Sequence, residues 1–136
     1  MRPLASVASG GELSRIMLAI KAVMADKDAV ETLIFDEIDT GISGRTAQKV
    51  SEKMAVIARN HQVLCITHLA QIAAMADRHY IIEKKPANSK TVTNIGLLEP
   101  DESIRELARI LGGAKITETV LESAREMKEL AARAKE

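Results

Sequence analysis

Aromatic side chains are almost missing from this sequence: one Phe (Phe35), one Tyr (Tyr80) and no Trp in 136 residues. A platform for stacking unpaired bases needs several rings, so that mode of nucleic-acid binding is excluded. Any core has to be aliphatic, built from Leu, Ile, Val, Ala and Met. The single Cys65 excludes an internal disulfide, and no Cys/His cluster has zinc-ligand spacing, so a reducing, cytoplasmic setting is expected. Net charge is also absent, 19 basic against 19 acidic residues. No global field therefore draws the chain to DNA or anionic lipid, and a DNA contact has to be local. No apolar run is long enough to span a bilayer and Met1-Arg2-Pro3 lacks the parts of a secretory leader, so no membrane partner is expected. A G-x-x-x-x-G-K-[ST] phosphate loop is missing too: Gly112-Gly113 is followed by Ala114-Lys115 in the wrong frame.

A chain of 136 residues fits one domain that buries roughly two-thirds of the surface its unfolded form exposes. It shows no internal repeat, low-complexity tract or interdomain linker. Ser9-Gly10-Gly11 reads as a turn feeding a helix, with Leu13, Ile16, Met17 and Ile20 at helical spacing. Thr32-Leu33-Ile34-Phe35 is an apolar run of the kind found in buried parallel strands, ending in Asp36-Glu37. Val50, Met54, Ile57 and Ala58 mark a second helix, and Val63 to Thr67 a second buried strand ending at His68. This alternation predicts an α/β fold with a mainly parallel sheet flanked by helices. A short helix over 69–76 follows, then a hairpin of strands near 78–84 and 91–98 around Pro86-Ala87-Asn88-Ser89. Two terminal helices complete the chain, one capped by Asp101 and ended by Gly112-Gly113, the other starting near Thr117.

Several segments carry chemistry. The glycines of Val7-Ala8-Ser9-Gly10-Gly11-Glu12 let backbone approach a ligand, and a helix N-terminus just behind them favours an anion. The same residues also suit an ordinary capped helix. Asp36-Glu37 offers one carboxylate for Mg²⁺ and one for water, pointed apart if the chain stays extended, though solvated acids are common at strand ends. Asp39-Thr40-Gly41-Ile42-Ser43-Gly44 follows as a loop. His68 leaves the next strand toward the same crevice, although a lone His is more often structural, satisfied by Thr67 or a carbonyl. His61 and His79 read as surface or partly packed residues. Arg15, Arg45, Lys49 and Lys53 are enough for a local basic patch, and equally for a solvated helix face.

In this order, segments 7–12, 32–37 and 39–44 and His68 resemble the signature motif, Walker B strand, D-loop and switch histidine of an ABC-type P-loop NTPase. Glu12 stands where many transporter subunits carry Gln, and no Pro follows Glu37. Both departures oppose the alternative of a transporter nucleotide-binding subunit and point to the SMC-like, DNA-associated branch. Within that branch Val7 to Arg15, Phe35 to Gly44 and Thr67 to Ala73, with Arg105-Glu106-Leu107-Ala108 and Leu111-Gly112-Gly113 in the tail, look like the RecN family. The resemblance implies that 1–136 is a single C-terminal lobe of an ATPase head, with the Walker A lobe and a coiled coil elsewhere in the protein. ATP and Mg²⁺ are the implied cofactors. Asp36 would help hold Mg²⁺, Glu37 would orient or deprotonate the attacking water, and His68 would sense the γ-phosphate. Ser9, Gly10, Gly11 and Glu12 would cap ATP on the opposite head, with Asp39 near that junction. Implied partners are the N-terminal Walker A lobe, a second head in a homodimer, and double-stranded or broken DNA, in a cytoplasmic, nucleoid-associated protein of double-strand break repair and recombination. The chain alone is then expected to lack ATPase activity. A non-catalytic interaction module on the same scaffold is the remaining alternative, opposed by the retention of Glu37 and His68.

Overall fold

The computed structural model describes residues 8–24, 29–87, 90–113 and 115–136. Val7 of the glycine segment, Asn88-Ser89 of the expected turn and Ala114 lie outside the described residues. The elements are α1 (Gly10–Met24), β1 (Thr32–Phe35), α2 (Gly44–Ile57), β2 (Gln62–Cys65), α3 (Ala70–Ala74), β3 (Tyr80–Ala87), β4 (Lys90–Leu97), α4 (Pro100–Gly112) and α5 (Glu118–Arg133). The fold is α/β, but the expected mainly parallel sheet is not seen among the described residues. β1 and β2 form a two-stranded parallel sheet, and β3 and β4 a separate antiparallel hairpin. The β1/β2 register runs from Thr32 opposite Gln62 to Phe35 opposite Cys65. It is extended at its carboxyl end by the Ile66 amide donating to the Phe35 carbonyl at 3.1 Å.

Two cores, aliphatic apart from Phe35, sit behind these elements. Leu18, Phe35, Ile38, Val50, Met54, Ile57 and Ile72 pack together between α1, β1, α2 and α3, directly beneath the β1 carboxyl end. Each large side chain buried here is worth about 1.5–3 kcal/mol. Ala70, Ala73, Ala74, Met75, Leu107, Ala108, Ala124 and Ala131 form the second core, where alanines let α3, α4 and α5 approach closely. α3 therefore joins the two cores.

Three expectations need correction. Ile16, Met17 and Ile20 do not form the buried face of α1; they are exposed, and Leu18 is buried instead, because the helix meets this lobe through the stripe Gly11, Arg15, Leu18 and Ala22. β1 and β2 are not covered on both faces, since Ile34, Leu64 and Ile66 are exposed. α4 is capped by Glu99 rather than Asp101, with Pro100 starting the helix and Glu102 closing a capping box. Proline needs no N–H partner in the first turn, so the cap falls on the residue before it.

Candidate functional site

The start of α1 is fixed by its own residues. Ser9 donates to Glu12 Oε2 from its amide at 2.8 Å and from its hydroxyl at 2.9 Å, a reciprocal cap of the helix. The Ser9 amide first, and then its hydroxyl, hold the Glu12 carboxyl below its ordinary value.

β1 delivers Asp36 and Glu37 to its carboxyl end, but the chain leaves the strand at Phe35. What separates the two acids is therefore not strand alternation. Glu37 has φ +57°, a left-handed conformation that costs a residue with a Cβ about 1–2 kcal/mol. Its amide donates to Asp36 Oδ1 at 2.9 Å and its carbonyl accepts from the Thr40 amide at 3.0 Å. Its carboxylate turns back over the start of α1, where a Cβ on Gly10 would lie 2.5 Å from Glu37 Oε2. A Cβ on Gly11 would lie 2.7 Å from the Glu37 carbonyl oxygen. Both glycines thus make room for Glu37 of their own chain.

Asp39, buried at 4% exposure, ties the two strand ends together. Its Oδ2 accepts from the Thr67 hydroxyl at 2.6 Å and from the His68 amide at 2.9 Å, and pairs with His68 Nδ1 at 2.9 Å. Burial is the largest influence on the Asp39 carboxyl and works to raise its pKa. The Thr67 hydroxyl, the His68 amide and the His68 ring together outweigh it, leaving the carboxyl below its ordinary 3.8. The His68 side chain is nonetheless 72% exposed, so Nδ1 is held while the ring stays open to a ligand. Burial first, then the Asp39 and Asp36 charges, push the nearby Cys65 thiol up to about 12, which makes it unreactive at neutral pH.

Gly10 and Gly11, Asp36 and Glu37, Asp39 and His68 are therefore linked around the β1 and β2 carboxyl ends. Two further contributors come from α1. Ser14 donates its hydroxyl to the Asp36 carbonyl at 2.9 Å, and Arg15 Nη1 donates to the carbonyls of Ile38 at 3.1 Å and Thr40 at 2.9 Å. Their place just beyond Gly11, with Arg15 one turn on from it, was the available signal. Arg15 is thereby drawn away from the basic patch considered above, and Lys49 pairs with Glu52 at 2.8 Å. His61 is buried and shares a hydrogen bond with the Val30 carbonyl at 2.6 Å. His79 shares one with the Ser103 hydroxyl at 2.8 Å.

Asp36 and Glu37 are exposed carboxylates at this end that could help hold a divalent cation. Among the described residues no three His, Cys, Asp or Glu come together as a metal cage, but Mg²⁺ commonly takes one or two carboxylates and fills its shell with phosphate and water. An exposed Asp36 meets that requirement. The start of α1, where the Glu37 carboxylate already lies beside Gly10, is a place that favours an anion.

No family model matches the chain. Curated relatives named DNA repair protein RecN do. One from Halalkalibacterium halodurans is 48% identical over 131 residues, covering 96% of this chain and 23% of the relative. One from Bacillus subtilis is 45% identical over 127 residues, 93% of this chain and 22% of the relative. One from Deinococcus radiodurans is 49% identical over 126 residues, 92% of this chain and 22% of the relative. The chain spans about a quarter of the length of the relatives it matches.

Proposed function

The chain belongs to the RecN family of DNA repair proteins, and from that premise we propose that it is the C-terminal half of an SMC-like ATPase head, which hydrolyses ATP when two heads meet during double-strand break repair and recombination. The single observation that carries this is the contact of Asp39 with His68, which ties the loop bearing Asp36 and Glu37 to the segment leaving the neighbouring parallel strand, at the carboxyl ends where α/β sheets bind ligands. Asp36 would help hold Mg²⁺, which would neutralise charge on the phosphates. Glu37 orients or deprotonates the attacking water. His68, braced through Nδ1 by Asp39, reads the γ-phosphate with the rest of its ring. Ser9, Gly10, Gly11 and Glu12 present the start of α1 to the nucleotide of the opposite head, with Asp39 at that junction.

In this proposal β1 and β2 are two strands of a larger, mainly parallel sheet completed by an N-terminal Walker A lobe reached through a coiled coil. The uncovered apolar residues Ile34, Leu64 and Ile66 support such a completion, since exposed apolar faces of this kind mark contact surfaces. The intact protein is cytoplasmic and nucleoid-associated, with double-stranded or broken DNA as its partner. No helix among the described residues is long and apolar enough to cross a membrane.

Glu37→Gln in the full-length protein tests the assignment, because it keeps the shape of the side chain and removes its basicity. ATP binding should persist, hydrolysis should fall by about 100-fold or more, and head dimers trapped with ATP should live longer. Turnover equal to the parent's would remove Glu37 from its role.

A further inference from the structure

Glu37 is held from both sides. Ser14, in the second turn of α1, takes the carbonyl of the residue before it, Asp36, at 2.9 Å. Arg15 takes the carbonyl of the residue after it, Ile38, at 3.1 Å, and with the same Nη1 that of Thr40 at 2.9 Å. Between these anchors lies the one left-handed residue other than glycine among those described. Such a conformation persists only where its surroundings over-determine it. The two side chains are adjacent on one helix, and their targets flank the single peptide unit between Glu37 and Ile38. Gly11 completes the arrangement, since a Cβ there would stand 3.1 Å from Arg15 Nη1 as well as against the Glu37 carbonyl. Its bare Cα is thus also required by this chain's own packing, apart from any approach to phosphate.

We propose that Ser14 and Arg15 are positioning residues that fix the backbone of Glu37, and so the direction of its carboxylate, by holding the carbonyls on either side of it from α1. This rests on the reading of Glu37 as the group that acts on water. Two other roles for Arg15 fit less well. A DNA-binding arginine keeps its guanidinium free for phosphate, whereas Arg15 is half-buried with Nη1 committed to two carbonyls. A general packing role would not need one nitrogen donating to two carbonyls of the same loop. Lysine, a point charge on a flexible stem, reproduces that planar donor poorly.

The test uses the full-length protein with R15A, R15K, S14A and E37Q. Hydrogen–deuterium exchange of the 37–42 amides should quicken in R15A while the other elements keep the parent's protection. Misplacement of a reacting group by about 1 Å costs about 100-fold, so kcat for ATP should fall by about that factor in R15A. KM should change by less than about threefold, because ground-state binding is spared. R15K should recover part of the loss and S14A should show a smaller one. Parent-like exchange at 37–42 in R15A overturns the clamp even if E37Q is inactive. Faster exchange spread over the whole chain, with a matching loss of Tm, also overturns it and assigns Arg15 to general stability. An E37Q protein that turns over normally overturns the role of Glu37, and with it the catalytic purpose of the clamp, while the exchange pattern of R15A still reports whether the backbone is held.

Discussion

A methyl group added at Gly10 would meet Glu37 Oε2, the far end of a flexible side chain, whereas one added at Gly11 would meet the Glu37 carbonyl oxygen at 2.7 Å. The first neighbour can rotate away; the second belongs to a backbone already bonded to Thr40. On helix propensity alone either Gly→Ala change should gain up to about 1 kcal/mol. Gly10→Ala is therefore expected to leave the melting temperature of this chain unchanged or slightly raised, and Gly11→Ala to lower it. Equal melting temperatures would show that the loop gives way at no cost and that Glu37 is not firmly seated. Asp39 makes a related point about single residues. Its acidity and its neighbourhood to Asp36-Glu37 were evident from sequence, but its burial beneath Thr67 and His68 was not, because those partners come from the segment that follows β2.

Elements join through polar contacts as well as through the two cores. His79, just ahead of β3, shares a 2.8 Å hydrogen bond with Ser103 of α4, and Ser103 is buried. Burial chiefly, and then the Lys128 charge, hold the His79 ring below its ordinary 6.5, while Glu106 pulls weakly the other way. The unfolded chain thus takes up this proton first as pH falls. Stability from His79 is full above pH 6.5 and is lost as pH drops from there through the lower folded value. Asp39, also depressed, contributes above its ordinary 3.8 and loses that contribution only at more acidic pH, so the two windows separate. Urea unfolding of this chain should give a lower midpoint at pH 5.5 than at 7.5, and His79→Gln should flatten the difference; an undiminished difference in that variant would assign the effect elsewhere. The elements themselves were largely readable, as α2 illustrates: Val50, Met54 and Ile57 fall on its buried face as their spacing predicts, whereas Ala58, expected with them, is the exposed C-cap. α1 was misread because it is apolar on more than one side, and periodicity cannot say which side meets this lobe.

As a whole the chain exposes 9578 Å², where a globular monomer of 14.8 kDa exposes about 7000 Å². Part of the excess is apolar: Val23 on α1 is 89% exposed, Ile34 on β1 69% and Ile95 on the hairpin 69%. β1 and β2 each also keep an edge that no described strand pairs, which invites addition of further strands. The isolated chain should therefore self-associate, with sedimentation at rising concentration showing a rising average mass, and should hydrolyse ATP negligibly. On the proposed reading, adding an N-terminal Walker A lobe should suppress association and give ATP turnover together. A strict monomer at all concentrations would mean that these faces do not await a partner.

By itself the sequence determined the α/β alternation, the acids and the histidine just past the strand ends, and a helix beginning at the glycine segment, although Gly10 and Gly11 form its first turn rather than a turn ahead of it. Each of these depends on neighbours within a few turns of chain, where side-chain period and turn chemistry govern. Tertiary structure alone decided the left-handed backbone of Glu37, the burial of Asp39 under Thr67 and His68, and the grip of Ser14 and Arg15 on the acid loop. Those contacts join residues 22 to 29 positions apart, and directional hydrogen bonds across such distances exist only once packing has fixed which face of each element turns inward.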